Sequence, residues 1–266
     1  MTHSRRMSRV IGSDGRTVIL ALDAANFATD INGVDATVAQ VPLMAPHGLD
    51  AVLVGVGIAR RCWASLQSVG MVLRCDTVTD LYDGSIPGSF IANDALDAVR
   101  LGADGVVVMA FPGSADHINL QLQTQDLYRE CREYNMPLIV EALPVTFVGS
   151  EPEHRDPANV AAAVRVAAEL GADIVKTRYS GTAEDKVIAA NATVPVVALG
   201  GPKTGLEGYL AFVKHCVDSG AAGIACGRNI VQDPNPVAKV AALAAIIHDQ
   251  VEVAQALEVY HDLASS

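Results

Sequence analysis

At 266 residues, half of them apolar, the chain is long enough to bury one full core, and a single domain over residues 1–266 is the simplest expectation. Aromatic residues make up only 5% while alanine, valine and glycine abound, a mix suited to closely packed parallel α/β layers. The formal net charge of −11 repels phosphodiester backbones, and no apolar stretch reaches the roughly 18 residues of a membrane span, so neither nucleic acid nor membrane is expected as a partner.

The opening segment, Met1 to Val10, carries several charges with no apolar run behind them, and a cytoplasmic location is expected. Short runs rich in valine, isoleucine and leucine then recur along the whole chain, each bounded by Gly, Pro or Asp and separated by segments of helical periodicity. They predict eight parallel strands, near Thr17 to Asp23, Asp50 to Gly55, Met71 to Cys75, Asp104 to Met109, Pro137 to Ala142, Asp173 to Thr177, Val194 to Leu199 and Ala222 to Cys226. A repeat precedes every second strand: Gly48-Leu49-Asp50, Gly102-Ala103-Asp104, Gly171-Ala172-Asp173 and Gly220-Ala221-Ala222. In each, a glycine that can turn left-handed closes a helix and leads directly into a strand.

Between the third and fourth strands, Asp76 to Ile91 reads as the longest loop, with Gly84, Pro87 and Gly88, and as part of an active-site rim or cover. Asp156-Pro157 marks a helix start, and Val251 to Leu263 predicts an extra amphipathic helix after the last strand. An open doubly wound sheet could use the same alternation, but eight evenly spaced units fit a closed (β/α)8 barrel with an extra C-terminal helix better. The five cysteines are odd in number and carry no zinc or redox spacing, so reduced, buried thiols are expected.

Barrel enzymes place catalytic groups where strands end, which singles out Asp23, Arg74, Glu141, Lys176 and Lys203. Lys176 follows Ile174 and Val175 inside an apolar strand, where desolvation lowers a lysine pKa and supplies the neutral amine that attacks a carbonyl to form an iminium. The competing reading is a lysine paired with Asp23 or Glu141 merely to fill the barrel. Tyr179, three residues on, is a further acid/base candidate or a packing residue. After the seventh strand comes Gly200-Gly201-Pro202-Lys203, and after the eighth Gly227-Arg228-Asn229. Such glycines can serve only to permit tight strand-to-helix turns, but open backbone N–H groups paired with Lys203 and Arg228 at these strand ends are expected to bind a phosphate. Gly55-Val56-Gly57 lacks the third glycine of a dinucleotide cradle and reads as a turn. His117 and His154 read as solvated loop residues and Cys226 as a small buried thiol. No metal motif is present and no cofactor is expected.

These residues resemble the class I, Schiff-base aldolases of the deoxyribose-phosphate aldolase and archaeal-type fructose-bisphosphate aldolase superfamily, near the branch of the autoinducer-2 phosphate thiolase. The resemblance runs from Arg6-Met7-Ser8-Arg9-Val10 and Asp14-Gly15-Arg16 through Ala21-Leu22-Asp23, Asp173-Ile174-Val175-Lys176-Thr177 and the two glycine motifs to the segment from His248 to Tyr260. It implies that Lys176 forms the Schiff base and that Asp23 orients groups or relays protons. It further implies that Gly200, Gly201, Lys203, Gly227 and Arg228 hold a substrate phosphate, that no metal takes part, and that the protein is a homo-oligomer, commonly a decamer.

Two positions depart from the family pattern. Ala24 and Ala25 replace the usual His-Gly after the first-strand aspartate, and Leu143 stands where the aldolases carry an acid/base tyrosine. Losing a positioned acid or base typically slows a reaction by about 10²–10⁴-fold, so a substitute is expected among Glu141, Tyr179 and Asp23. The reading is an aldolase-type lyase of carbohydrate metabolism that makes or breaks a C–C bond in a phosphorylated ketose or keto compound. Thiolase-type acyl transfer on the same scaffold and non-catalytic sugar-phosphate binding are the alternatives.

Overall fold

The computed structural model describes residues 4–26, 32–78, 89–114, 117–144 and 152–265. Its strands are β1 (Thr17–Ala21), β2 (Ala51–Val54), β3 (Gly70–Arg74), β4 (Asp76–Val78), β5 (Ser89–Ile91), β6 (Gly105–Ala110), β7 (Leu138–Ala142), β8 (Ile174–Thr177), β9 (Val196–Leu199) and β10 (Gly223–Cys226). Eight of them close into a parallel barrel in the order β1, β2, β3, β6, β7, β8, β9, β10. All eight predicted strands are in that barrel. The predicted rim loop after β3 instead begins and ends as an antiparallel hairpin, β4 with β5; its residues 79–88, with Gly84, Pro87 and Gly88, lie outside the described residues.

Period-2 alternation sorts the strand side chains into two shells. Inward, Ile19, Ala51, Leu53, Val72, Val107, Ile139, Ile174, Val197 and Ala225 fill the barrel, and Met7, Val10 and Ile11 of the opening segment plug its N-terminal end. Outward, residues such as Val18, Val52, Val106, Val140 and Val175 pack under the helices.

The helices are α1 (Val34–Met44), α2 (Val56–Arg61), α3 (Trp63–Leu66), α4 (Ala95–Arg100), α5 (His117–Glu133), α6 (Pro157–Glu169), α7 (Lys186–Ala190), α8 (Leu206–Asp218), α9 (Arg228–Val231), α10 (Pro236–Ile247) and α11 (Val253–Ala264). Their starts follow local chemistry. Asp156 caps α6 by accepting the Ala158 N–H at 2.8 Å ahead of Pro157, and Gly55 simply turns β2 into α2. The four repeat glycines, Gly48, Gly102, Gly171 and Gly220, all have φ between 75° and 101°, as their place at helix ends requires. α10 is buried from Ala238 to Ile247, so it needs a cover on its outer side, and the amphipathic α11 supplies it, burying Ala256 and Tyr260. Among the described residues no helix is long and apolar enough to cross a membrane.

Candidate active site

Alternation along β8 puts Ile174 in the barrel core and Lys176 one layer nearer the C-terminal mouth, only 3% exposed. In register beside it on β7 is Glu141, whose Oε2 accepts from Lys176 Nζ at 2.9 Å. The same oxygen accepts from Arg74 Nη2 at 2.6 Å. From the end of β3, Arg74 also donates through Nε to Asp23 Oδ2 at 2.9 Å and through Nη1 to Asp76 Oδ1 at 3.2 Å. Asp76 accepts the Met109 backbone N–H on its other oxygen.

Three carboxylates and two cations are thus joined across β1, β3, β4, β7 and β8, all but excluded from water. Burial alone would raise the Glu141 carboxyl, but Lys176 and Arg74 outweigh it and hold it down at about 2. Burial likewise opposes the Arg74 charge, and Asp76, Asp23 and Glu141 together push its pKa well above the usual value. Arg178, two residues past Lys176, lies close enough for Glu141 to favour its charge, while burial and then Arg155 act against it and bring its pKa below the ordinary value. The lysine therefore has a carboxylate partner, as the competing reading expected, and that partner is Glu141; Asp23 belongs to Arg74. The pairing does not exclude chemistry, because it holds the Lys176 nitrogen in place at the barrel mouth.

Next to this polar network the mouth is apolar. Met109, Phe111, Leu120 and Leu143 form one buried cluster with Leu199 packed against it. Leu143 continues the inward alternation of Ile139 and Glu141 and is fully buried, so this position offers no hydroxyl above Glu141.

Tyr179 is not brought to this site. Two residues past the end of β8, it joins the outer shell with Cys216 and Asp185 as its electrostatic neighbours. Its pKa is raised, mainly by burial, and among the described residues its hydroxyl has no hydrogen-bond partner. The turn beyond it is held by the fully buried Asp185, which accepts from Ser180 N and Oγ and Gly181 N and contacts His215 Nε2 at 3.0 Å.

The glycine motifs do meet. Asn229 Nδ2 donates to the carbonyls of Gly200 and Pro202, at 3.0 and 3.1 Å, and Lys203 Nζ donates to Gln232 Oε1, so the loops after β9 and β10 are tied together. Two positions there require glycine. Gly201 has φ +67° and a Cβ would sit 2.3 Å from the Phe212 ring; at Gly227 a Cβ would sit 2.9 Å from the Ala21 carbonyl oxygen. Lys203 and Arg228 are exposed at the rim of these loops.

The remaining residues singled out from sequence lie elsewhere. Cys226 is buried, its thiol raised by burial to about 11, and its sulfur accepts from Tyr209 Oη. Of the other thiols only Cys62 is partly exposed. His154 is half-buried in a short 3₁₀ turn, and the His117 side chain lies outside the described residues. A cavity of about 990 Å³ opens at the opposite, N-terminal end beside Arg5, Arg9, Trp63 and Asp104, away from Lys176.

Asp76 was missed from sequence and Arg74 noted only as one strand end among several. Their even spacing, i and i+2 at the end of an inward-facing series, was the available signal.

A model of the DeoC/LacD family aldolases matches residues 15–233 of the chain. The 2-amino-3,7-dideoxy-D-threo-hept-6-ulosonate synthase of Halobacterium salinarum is 31% identical over 261 residues, covering 97% of each chain. The 3-hydroxy-5-phosphonooxypentane-2,4-dione thiolase of Photorhabdus laumondii is 30% identical, covering 96% of this chain and 85% of its own. Among solved structures, an archaeal fructose-1,6-bisphosphate aldolase with its catalytic lysine bound covalently to the carbinolamine intermediate superposes with a TM-score of 0.82. It has 30% identity, over 91% of this chain and 98% of that one.

Proposed function

The chain belongs to the DeoC/LacD family of aldolases, carbon–carbon lyases of the Schiff-base class, and on that premise we propose that Lys176 is its Schiff-base lysine. The observation that carries this reading is the placement of Lys176 at the closed mouth of the barrel, hydrogen-bonded to Glu141 at 2.9 Å. The substrate is a phosphorylated ketose or keto compound whose phosphate rests on the backbone of Gly200, Gly201 and Gly227 with Lys203 and Arg228 at the rim.

In this reading Lys176 gives its proton to the substrate's carbonyl oxygen as its amine attacks the ketone carbon, and the carbinolamine loses that oxygen as water to give an iminium. Cleavage of the neighbouring C–C bond sends its electron pair to the iminium nitrogen as an enamine, while the hydroxyl on the departing carbon loses its proton and leaves as an aldehyde. Protonation of the enamine carbon and hydrolysis release the second product and restore the amine. Arg74 positions Glu141 and Asp23 for these proton transfers, and phosphate binding aligns the carbonyl with the amine.

Borohydride reduction with a panel of phosphorylated ketoses and keto compounds, followed by intact mass, tests the assignment. A mass gain on the wild type and none on Lys176→Ala, with turnover down roughly 10⁴-fold or more, is the expected result. An adduct that persists in Lys176→Ala removes the lysine from the chemistry.

Acyl transfer to a thiol is the second reading. It is favoured by the absence of a hydroxyl at Leu143 and by the likeness to the Photorhabdus thiolase. Product analysis with and without coenzyme A separates the two.

A further inference from the structure

The phosphate loops and the apolar wall occupy different sectors of the barrel mouth. Gly200, Gly201 and Gly227 follow β9 and β10, whereas Met109, Phe111 and Leu143 stand on or just past β6 and β7, with Lys176 on β8 between them. A substrate anchored by its phosphate on the first sector and bonded to Lys176 therefore carries its far end toward the second. There, Met109 is in register beside Glu141, Phe111 and Leu143 stand one step higher, and Leu120 of α5 closes the cluster from behind. All four are at most 6% exposed.

Building on the Schiff-base reading, we propose that this wall selects the carbonyl partner. The fragment that leaves or joins at the end remote from the phosphate is a short aldehyde with an uncharged, apolar body, and Phe111, Leu143 and Met109 determine that choice. A hydroxyl or phosphate directed into this cluster loses its water and meets no donor from these side chains, whereas an alkyl group gains contact. Arg155 and Arg178 supply the opposing pull, because cations near the mouth favour an anionic aldehyde. Glu141 in turn favours the Arg178 charge.

The test runs in the addition direction, with dihydroxyacetone phosphate as the common donor and propanal, butanal, glycolaldehyde and glyceraldehyde 3-phosphate as competing acceptors. Propanal and butanal are expected to exceed the other two in kcat/KM by about 10- to 100-fold, the range a few apolar contacts supply. Leu143→Ser shifts the ratio toward glycolaldehyde by about tenfold, and Leu143→Met preserves it. Borohydride capture of dihydroxyacetone phosphate on both variants shows that the folded site persists.

A preference for glyceraldehyde 3-phosphate, or a ratio unmoved by Leu143→Ser, overturns the selectivity of the wall while leaving the lysine chemistry standing. Failure of wild-type Lys176 to capture dihydroxyacetone phosphate or any other phosphorylated ketose or keto compound of the panel overturns both.

Discussion

At the C-terminal end of the barrel the buried charges bond mainly to one another, Asp23, Asp76 and Glu141 to Arg74 and Glu141 again to Lys176. At the N-terminal end the carboxylates bond to backbone. Asp50 accepts the Val18 N–H at 2.7 Å, Asp104 the Met71 N–H at 3.1 Å and Asp173 the Leu138 N–H at 2.9 Å, each tying the start of one strand to its neighbour. A carboxylate on a backbone N–H pins strand register even where a cation also reaches it, as His248 reaches Asp50 and Arg9 reaches Asp104. Side chains that share partners can redistribute a proton or a contact when substrate arrives, which suits chemistry but makes every member depend on the rest. Stability and reactivity are thereby assigned to opposite ends of one barrel.

The strongest challenge to that division is Arg74→Met. It leaves three carboxylates without their common cation, and a loss of about 3–5 kcal/mol in a denaturant titration is expected together with loss of turnover. A variant that loses turnover at full stability makes the network purely catalytic and breaks the comparison. At the other end, Asp104→Ala leaves the Met71 N–H without its acceptor and is expected to cost about 1–3 kcal/mol, with kcat/KM unchanged. An effect on kcat/KM instead shows that the N-terminal end reaches the site.

The eight strands were legible because each is an apolar run bounded by glycine, proline or aspartate, and the repeat marked every second one. The letters of that repeat were visible, but not that Asp50, Asp104 and Asp173 reach backbone across strands, and the fourth copy, with Ala222, has no carboxylate to do so. The hairpin of Asp76–Val78 with Ser89–Ile91 escaped because each arm is three residues long and pairs only with the other. Lys176 was legible from its apolar strand. The hub at Arg74 was not, since its partners Asp23 and Glu141 lie 51 and 67 residues away and meet it only when the barrel closes. Tyr179 is close to Lys176 in sequence but not in surroundings: β8 ends at Thr177, and the chain beyond it carries Tyr179 into the outer shell.

The smallest expected effect sharpens the comparison by giving the N-terminal end its own pH dependence. His248, just past α10, places Nδ1 2.7 Å from Asp14 and Nε2 3.0 Å from Asp50, the same Asp50 that holds Val18. With an acceptor at each nitrogen only the imidazolium satisfies both, and its charge also suits a helix C-terminus. The Asp50 hydrogen bond, opposed by partial burial and aided by Asp14, raises the pKa to about 9. An unfolded histidine titrates near 6.5, so below that pH both states hold the proton and the latch contributes in full. Between about 6.5 and 9 the unfolded chain gives up its proton first, and the contribution shrinks until it is gone above the folded value. Allowing for solvent screening at this partly exposed position, about 1–2 kcal/mol is at stake. Urea midpoints of wild type and His248→Gln should therefore differ at about pH 6 and converge by about pH 10, with turnover per folded molecule the same in both. Parallel midpoint curves would mean that the contacts to Asp14 and Asp50 do not depend on the proton. A pH-dependent change in turnover specific to the variant would instead place His248 in communication with Lys176 at the far end of the barrel.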